Sequence, residues 1–446
     1  MAKVMVTESY LEAVGDALRE KLGVQQSFMP SQMAEAILSI SVNTSENREK
    51  EILDRTLLGA YSNSTLKRIG AYGLTECSRL TEIKLNQCSS IGKGALARCS
   101  RLITASFPVC EYIGEEAFYS CVKLKNLYFP QCFSIDSRAF AECTGMTEAG
   151  FPCCEQIAES AFASCASLRA IDFPACEIIG SGAFQSCSAL EEAAFPVCSR
   201  IENDAFMRCR ELASLSFPEC RYVGVSAFAF CSGMSFAEMP KLVSVGGSAF
   251  YGCTGLLAVS FPNCESIGAS AFASCLLGQA SFSKCLSVGA GAFASCYSLS
   301  EISFPVCRSV GANAFESCAL ESAIFPRCTT VGSSAFRYCS GVSLISFPEC
   351  TTIYSYAFMG CGMSVASFPK LRSIYAGAFT NCTRLVSLYL MGSTVISLTS
   401  AAFASTPLTQ YSYTGDYGSI YVPASLYSSY IRASYWSSMS ARFVSV

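Results

Sequence analysis

The stretch that decides the fold reads Cys99-Ser-Arg-Leu102-Ile-Thr-Ala105-Ser-Phe107-Pro108-Val-Cys110-Glu-Tyr-Ile113-Gly114-Glu-Glu-Ala117-Phe118-Tyr-Ser-Cys121. Its pattern, C-x-x-L-x-x-L-x-F-P-x-C-x-x-I-G-x-x-A-F-x-x, recurs every 21 or 22 residues over roughly residues 60–405. The Ala-Phe phenylalanine marks the repeats at Phe118, Phe140, Phe162, Phe184, Phe206, Phe228, Phe250, Phe272, Phe293, Phe315, Phe336, Phe358 and Phe379. One unit cannot bury its own apolar face, whereas stacked copies form a continuous core. The sequence therefore predicts a repeat solenoid.

Each repeat predicts a short strand followed by turns. The Leu-x-x-Leu-x-Phe segment places alternate apolar residues on one side of a strand, and the following proline, such as Pro130, stops it. Ile113-Gly114 and its equivalents are expected to turn the chain, since glycine allows unusual backbone angles. Ala117-Phe118 is expected on a single helical or 3₁₀ turn that fills the core from the opposite side.

At these residues the chain resembles the BspA-like leucine-rich repeat family, through L-x-x-L-x-F-P, I-G-x-x-A-F and the closing cysteine. The resemblance covers about three quarters of the chain. It implies a curved, β-rich α/β solenoid with a parallel sheet on one face and turns plus short helical turns on the other. It also implies cell-surface or interaction roles rather than catalysis. The chain departs from the family where cysteine mostly replaces the aliphatic residue after Phe-Pro-x.

Composition excludes several classes of function. The 446 residues include no histidine, so a histidine triad, general base or metal ligand is impossible. No P-loop, G-x-S-x-G or G-x-G-x-x-G motif is present. The formal net charge is −3 without a basic block, which argues against nucleic acid as a partner. No continuous run of apolar residues has the length of about 18 residues that a membrane-spanning helix needs. A non-enzymatic protein without cofactor, metal or membrane insertion is expected.

The 28 cysteines follow the repeat. Fifteen, from Cys77 to Cys382, follow the Ala-Phe pair; twelve follow Phe-Pro-x; Cys153 stands apart. Disulfides and metal clusters are possible interpretations, but parallel side chains on stacked rungs would hold Cβ atoms roughly 5 Å apart, beyond the usual disulfide range. Buried free thiols acting as small apolar fillers are favoured. The predicted structural core ladder comprises Cys99, Cys110, Cys121, Cys132, Cys143, Cys165 and Cys187 with Phe118, Phe140 and Phe162, and Cys153 is the candidate reactive thiol.

The outward strand positions describe the face that a partner would meet. The residue between the Leu and Phe positions is serine in seven of thirteen repeats: Ser106, Tyr128, Gly150, Asp172, Ala194, Ser216, Glu238, Ser260, Ser281, Ser303, Ile324, Ser346 and Ser367. Aromatic residues and arginine, which dominate protein interfaces, are scarce there. The pattern favours a smooth solvated sheet, with a shallow groove for a glycan or peptide as the alternative.

The N-terminal residues lie outside the repeat. Thr7 can cap a helix over about 8–22, Ser31 a second short helix, and a third is expected near 46–58. The segments Thr7-Glu8-Ser9-Tyr10-Leu11-Glu12-Ala13-Val14-Gly15-Asp16-Ala17-Leu18-Arg19 and Phe28-Met29-Pro30-Ser31-Gln32-Met33-Ala34-Glu35-Ala36-Ile37 resemble a module that opens tail-associated proteins of phages infecting Gram-positive gut bacteria. The resemblance implies attachment to a larger assembly and self-association through these helices. A plain helical cap on the solenoid is the alternative.

The C-terminal segment is rich in tyrosine. Ile420-Tyr421-Val422-Pro423 predicts a strand, residues 424–434 a short helix and residues 443–446 a last strand, which together suit a cap that closes the repeat. Tyrosine and tryptophan also suit carbohydrate or protein contact. The candidate ligand-binding residues are Tyr411, Tyr413, Tyr417, Tyr421, Tyr427, Tyr430, Tyr435 and Trp436.

These patterns predict one repeat body with two caps. The predicted domains are a helical attachment or cap module (1–41), a linker with a capping helix (42–59), the leucine-rich repeat solenoid (60–405) and the tyrosine-rich cap (406–446). Three functions fit: a phage or prophage tail-associated protein that binds host protein or cell-surface glycan, a bacterial adhesin, and an intracellular scaffold. The first is preferred. It is expected on the virion or facing the host-cell surface, made in the cytoplasm, because residues 1–8 show no apolar secretory segment.

Overall fold

The computed structural model describes residue 55, residues 57–409 and residues 417–446. The chain divides into two compact units, unit 1 up to Pro218 and unit 2 from Glu219 onward. Each unit is a parallel-strand β-solenoid with rungs of about 22 residues, and the two contain about 17 turns in total. The predicted class, a repeat solenoid with few helices, is confirmed.

Each rung contributes three backbone segments, which we call its first, second and third sides. In the rung that begins at Cys99, the first side is the strand Thr104–Ser106 and the second side is the strand Tyr112–Ile113. The third side is the run of turns from Gly114 to Cys121, which contains the Ala-Phe pair. Equivalent segments of successive rungs lie side by side in parallel.

In unit 1 the first-side strands form small groups, whereas the second-side strands form one ladder. The first-side strands are β1 (Gly59–Ser62), β3 (Leu80–Lys84), β5 (Thr104–Ser106), β7 (Leu127–Tyr128), β9 (Glu148–Gly150), β11 (Ala170–Asp172), β13 (Glu192–Ala194) and β15 (Ser214–Ser216). The second-side strands are β2 (Arg68–Ile69), β4 (Ser90–Ile91), β6 (Tyr112–Ile113), β8 (Ser134–Ile135), β10 (Gln156–Ile157), β12 (Ile178–Ile179) and β14 (Arg200–Ile201).

Unit 2 repeats this arrangement and ends in the C-terminal cap. Its second-side strands are β16 (Tyr222–Val223), β18 (Ser244–Val245), β20 (Ser266–Ile267), β22 (Ser287–Val288), β24 (Ser309–Val310), β26 (Thr330–Val331), β28 (Thr352–Ile353), β30 (Ser373–Ile374) and β32 (Ser397–Leu398). Its first-side strands are β17 (Phe236–Glu238), β19 (Ala258–Ser260), β21 (Gln279–Ser281), β23 (Glu301–Ser303), β25 (Ser322–Ile324), β27 (Leu344–Ser346), β29 (Val365–Ser367), β31 (Ser387–Tyr389), β33 (Ser419–Val422) and β34 (Phe443–Ser445). Helix α1 (Ala424–Tyr430) and a 3₁₀ helix (Trp436–Arg442) lie between β33 and β34.

The position of the long ladder differs from the prediction. The sequence pattern predicts the sheet at the Leu-x-x-Leu-x-Phe segment and a turn at Ile113-Gly114. In the structure Tyr112 and Ile113 pair in register with Ser134 and Ile135, and the corresponding pairing extends along the second side of each unit. The side chain of Ile113 is buried while the backbone at Gly114 donates to the preceding rung at Ile91 O (2.8 Å).

The third side consists of turns rather than a helical turn. Phe118 N donates to Ala139 O of the next rung (2.7 Å), whereas Cys121 N donates to Phe118 O of its own rung (3.1 Å). Amides thus alternate between the next rung and their own. Glu116 and Ser120 have positive φ angles of 56° and 57°, and this left-handed backbone prevents continuation as an α-helix.

Two ladders of phenylalanine rings form the core. Phe118 stacks on Phe140 in the Ala-Phe ladder, with ring centroids 5.0 Å apart, and Phe129 stacks on Phe151 in the Phe-Pro ladder at 5.2 Å. The ladders meet edge to face, as at Phe118 and Phe129 (6.2 Å). Offset and edge-to-face pairs stabilise by about 0.5–1.5 kcal/mol beyond burial of their area. The repeated sequence therefore builds one repeated packing unit.

The predicted N-terminal elements fall largely outside the described residues. The helix expected over about 8–22 and the short helix capped by Ser31, and with them the whole 1–41 module, lie outside, as does most of the helix expected near 46–58. Leu57 and Leu58, at the end of that third helix, precede β1 without helical structure. Leu57 is buried against the first rung while Leu58 is exposed.

Candidate binding surfaces

The cysteine ladders are part of the interior. Of the 28 cysteines, 27 are buried as free thiols and Cys153 is exposed. The residues of the core ladder are all fully buried: Cys99, Cys110, Cys121, Cys132, Cys143, Cys165, Cys187, Phe118, Phe140 and Phe162. Among the described residues, no group of three or more cysteine and acidic side chains is arranged to hold a metal ion.

Each ladder of thiols also satisfies backbone carbonyls, a role that the sequence pattern does not indicate. Cys143 Sγ donates to Phe118 O of the preceding rung (3.1 Å), and Cys165 repeats this contact with Phe140 O (3.1 Å). In the Phe-Pro-x-Cys register, Cys110 Sγ donates to Tyr112 O two residues on (3.3 Å). Burial raises the pKa of both Cys110 and Cys143 to about 12, so these thiols remain protonated at neutral pH. A buried neutral thiol is a poor nucleophile and metal ligand.

The predicted tyrosine cluster at the C-terminus is not one exposed site, and the prediction needs correction for two of its residues. Tyr430 and Trp436 are buried, because they fill the open end of the last rungs. Trp436 Nε1 donates to Ile396 O (2.8 Å), and the Tyr430 hydroxyl accepts from Ile396 N (3.2 Å). Phe403 and Phe443 pack against Trp436. These two side chains cap the solenoid and cannot contact a ligand.

The remaining tyrosines of that cluster are dispersed. Tyr417 is exposed and carries the Arg442 guanidinium 3.6 Å above its ring, and Tyr435 is also exposed. Tyr421 is half-buried and stacks on Tyr389 at 4.4 Å, and Tyr427 is half-buried on α1. Tyr411 and Tyr413 lie outside the described residues. The structure therefore does not bring the described members together as one platform.

The outward face of the first side in unit 2 has a shallow groove of about 750 Å³. It crosses β17, β19, β21 and β23. Phe236 and Leu257 are 58% and 61% exposed there. Glu238 and Glu301 supply carboxylates, and Gln279 Nε2 donates to Glu301 Oε2 (2.9 Å). We call this the Phe236 groove.

A smaller depression of about 310 Å³ lies on the first side of unit 1. Tyr128 is 63% exposed, and its ring lies over Gly150 of the next rung, where a Cβ would come within 2.8 Å of Cδ2. Glu148 and Asp172 add negative charge. Two parts of the outward strand face are thus shallow grooves, as in the alternative interpretation of that face, rather than a smooth sheet. Tyr128, Asp172 and Glu238 are among the outward strand positions that the repeat pattern identifies, whereas Phe236 and Leu257 are not.

A parallel-strand solenoid with rungs of about 22 residues and a core lined by leucine and phenylalanine defines a leucine-rich repeat protein. Such proteins generally mediate protein binding and are typically non-enzymatic. The chain belongs to the family described as BspA type leucine-rich repeat region, whose model matches residues 60–147, 111–235, 221–343 and 308–431. No curated protein matches the sequence.

The chain is similar to solved structures of leucine-rich repeat proteins. A leucine-rich repeat protein from Bacteroides ovatus ATCC 8483 is 24% identical, with 78% of this chain and 84% of that chain covered and a TM-score of 0.55. A leucine-rich cell surface protein from Faecalibacterium prausnitzii A2-165 is 22% identical, with 60% and 81% covered and a TM-score of 0.38. Within the described part of the chain, no helix has the length and apolar character needed to cross a membrane.

Proposed function

We propose that the protein is a non-enzymatic recognition protein of the adhesin type, which holds a protein partner in the Phe236 groove. The observation that carries the proposal is that Phe236 and Leu257, 58% and 61% exposed, line one and the same groove. Neither side chain contributes to the core from this position. A partner that covers them gains about 25 cal/mol for each Å² of apolar surface removed from water.

The charge of the groove defines the partner further. Glu238 and Glu301 flank the two apolar side chains, so a partner segment with an apolar anchor beside lysine or arginine would be complementary. Rim charges of this kind mainly steer association and are screened by salt. We therefore expect binding that weakens as ionic strength rises.

Beads coated with the protein test the proposal on epithelial monolayers and on Gram-positive bacterial cells. Phe236→Ser with Leu257→Ser introduces the residue found at the preceding repeat positions, Ser214 and Ser235, so the fold is retained. Adhesion of the wild type should be lost when the cells are treated with protease, and the double variant should bind ~10-fold more weakly, since two anchors of this kind contribute about 1.4 kcal/mol or more.

Tyr128→Ser is the matched control, because Tyr128 is as exposed on the first side of unit 1. It should adhere like the wild type. Wild-type beads that bind neither cell, adhesion that survives protease, or a double variant that adheres fully would each disprove the proposal.

The cellular setting is a separate part of the proposal. A surface adhesin is what the repeat family implies, and a phage or prophage tail protein is what the N-terminal segment implies. Immunogold labelling with an antibody to this chain distinguishes the two. Label on the cell envelope is expected for the adhesin, whereas label on the tails of purified particles would replace it with the tail protein.

A further inference from the structure

A column of glycines follows the second-side strands of unit 2. At Gly246, Gly268, Gly289, Gly311 and Gly332, a Cβ atom would lie 2.5–2.7 Å from backbone atoms of the preceding rung. Real Cβ atoms do not approach so closely, so glycine is what lets consecutive rungs come together here. The next two rungs depart from the column, because they carry Tyr354 and Tyr375 at this position.

The two tyrosines form a stacked pair at the surface. Their ring centroids are 5.1 Å apart with an interplanar angle of 20°, and the residues are 41% and 39% exposed. The ladder is kept, since Tyr354 N donates to Val331 O and Tyr375 N to Ile353 O, both at 3.0 Å. The rings therefore replace close-approach glycines without filling the core.

A third exposed tyrosine lies on the same two rungs as the pair. Tyr356, two residues after Tyr354, is also exposed, and its ring covers Gly377 of the next rung, where any Cβ would overlap the ring. Gly377 has a positive φ of 67°, which glycine adopts without strain. Three exposed tyrosines thus lie on two consecutive rungs, and we call this group the tyrosine platform (Tyr354, Tyr356 and Tyr375).

The chain segment that carries the platform is rich in hydroxyl groups and contains few charges. Thr352 and Ser373 precede the buried isoleucines of β28 and β30, and Ser373 Oγ donates to Thr352 Oγ1 (3.4 Å). Between residues 351 and 381 the charged residues are Lys370, which is paired with Glu349, and Arg372. Hydroxyls both donate and accept hydrogen bonds, and aromatic faces attract weakly polarised C–H groups.

We propose that the tyrosine platform binds a neutral glycan, whose sugar rings stack on the tyrosines while the neighbouring hydroxyls bond its hydroxyl groups. A protein contact is less well matched, because protein interfaces surround their aromatic anchors with apolar and arginine side chains. Charged glycans are less well matched too, since within residues 351–381 the pairing of Lys370 with Glu349 leaves Arg372 as the cation for an anion. This site lies on a different side of the rungs from the Phe236 groove and does not depend on it.

Native gel electrophoresis through gels that contain soluble neutral polysaccharides tests the proposal. The probes are hydroxyethylcellulose, galactomannan, arabinoxylan, mannan and pullulan. The wild type should be retarded by at least one of them. Tyr354→Gly with Tyr375→Gly restores the residue found in the preceding rungs, so this double variant should keep or raise the melting temperature. Its dissociation constant for the polysaccharide should be ~10-fold higher or more.

Two further variants complete the design. Tyr354→Phe with Tyr375→Phe keeps the aromatic faces that stack on sugar rings, so this variant should still be retarded by the polysaccharide. Tyr128→Ala removes an exposed tyrosine on the first side of unit 1 and should migrate like the wild type. The proposal is overturned by a wild type that no polysaccharide retards, or by a glycine variant that is retarded equally. It is also overturned by sedimentation that shows a wild-type dimer absent from the glycine variant, since a second copy would then occupy the platform. Protease-sensitive bead adhesion through the Phe236 groove should be unchanged in the glycine variant.

Discussion

At the scale of single residues, cysteine fits its position because it is small, apolar and a weak donor. The carbonyl of Phe118 already accepts Cys121 N, and Cys143 Sγ satisfies its second lone pair. Thr406 occupies the cysteine register of the last rung and is buried, but it donates its hydroxyl to Phe403 O of its own rung (2.7 Å) rather than to the preceding rung. Both residues thus place a short side chain with one donor at this buried position, and the cysteine uses that donor to link consecutive rungs.

Cys153 provides the residue-scale prediction. Because it is the exposed thiol among 28, a maleimide added to the native protein should modify one cysteine per chain, and Cys153→Ser should abolish this fast reaction. In denaturant without reductant, all 28 thiols should react. Mass spectrometry of the labelled chain gives both counts. Rapid modification of several sites in the native protein, or a shortfall after denaturation that indicates disulfides, would refute the buried thiol ladders.

At the scale of elements, the second side depends on rungs that approach closely. In Gly311→Ala the new Cβ would lie 2.7 Å from the backbone nitrogen of Ala290, so the rungs must separate locally. Overpacking of this kind typically costs about 1–3 kcal/mol, and we expect the denaturation midpoint to fall. Gly278→Ala is the control, because its nearest neighbour, Leu257 O, would be 3.7 Å away. Urea unfolding of both variants measures the difference, and equal midpoints would contradict it.

The elements were predicted to different degrees for physical reasons. The first-side strands were predictable because three or more residues show alternation before a proline. Tyr112–Ile113 was missed as a strand because two residues display no period, and the pairing exists only between stacked rungs. A helical turn was predicted on the third side because Ala117 and Phe118 are compatible with one. The positive φ angles at Glu116 and Ser120 were not predictable, since these residue types do not favour a positive φ and the stacked rungs impose it.

At the scale of the whole molecule, the repeat made the core predictable and hid the candidate sites. Trp436 and Tyr430 were conspicuous by residue type, yet closing the last rung required large side chains and buried them. Taken alone, nothing in the sequence draws attention to Phe236, Tyr354 or Tyr375. Each is unusual only when it is compared with the residues at the equivalent position of the neighbouring repeats. The signal in the sequence is a large aromatic residue at a position where the neighbouring repeats carry small or polar residues. The Phe236 groove also needs Leu257 and Glu301 from other rungs, which only the stacked structure brings together.

The buried thiols give the whole molecule a sharp alkaline limit. Burial raises the pKa from 9.0 to about 12 at nine of them: Cys77, Cys110, Cys143, Cys154, Cys264, Cys296, Cys339, Cys350 and Cys382. Below pH 9 both the folded and the unfolded chain hold these protons, so the thiols add no pH dependence. Between pH 9 and pH 12 only the unfolded chain releases them. The free energy of unfolding then falls by about 1.4 kcal/mol per pH unit for each thiol.

Nine such thiols together remove about 12 kcal/mol over one pH unit, which is comparable with the about 5–15 kcal/mol that stabilises a typical domain. We therefore expect cooperative unfolding soon above pH 9, measured as loss of far-ultraviolet circular dichroism in the presence of a reductant. Thiolate absorbance should rise in the same step, because deprotonation accompanies unfolding. Cys143→Ala with Cys154→Ala removes two of the nine thiols, so the free energy of unfolding should fall less steeply with pH by the contribution of those two. A gradual thiolate titration centred near pH 9 with unchanged circular dichroism would mean that the thiols are open to water, and the ladders would then not be the core of this fold.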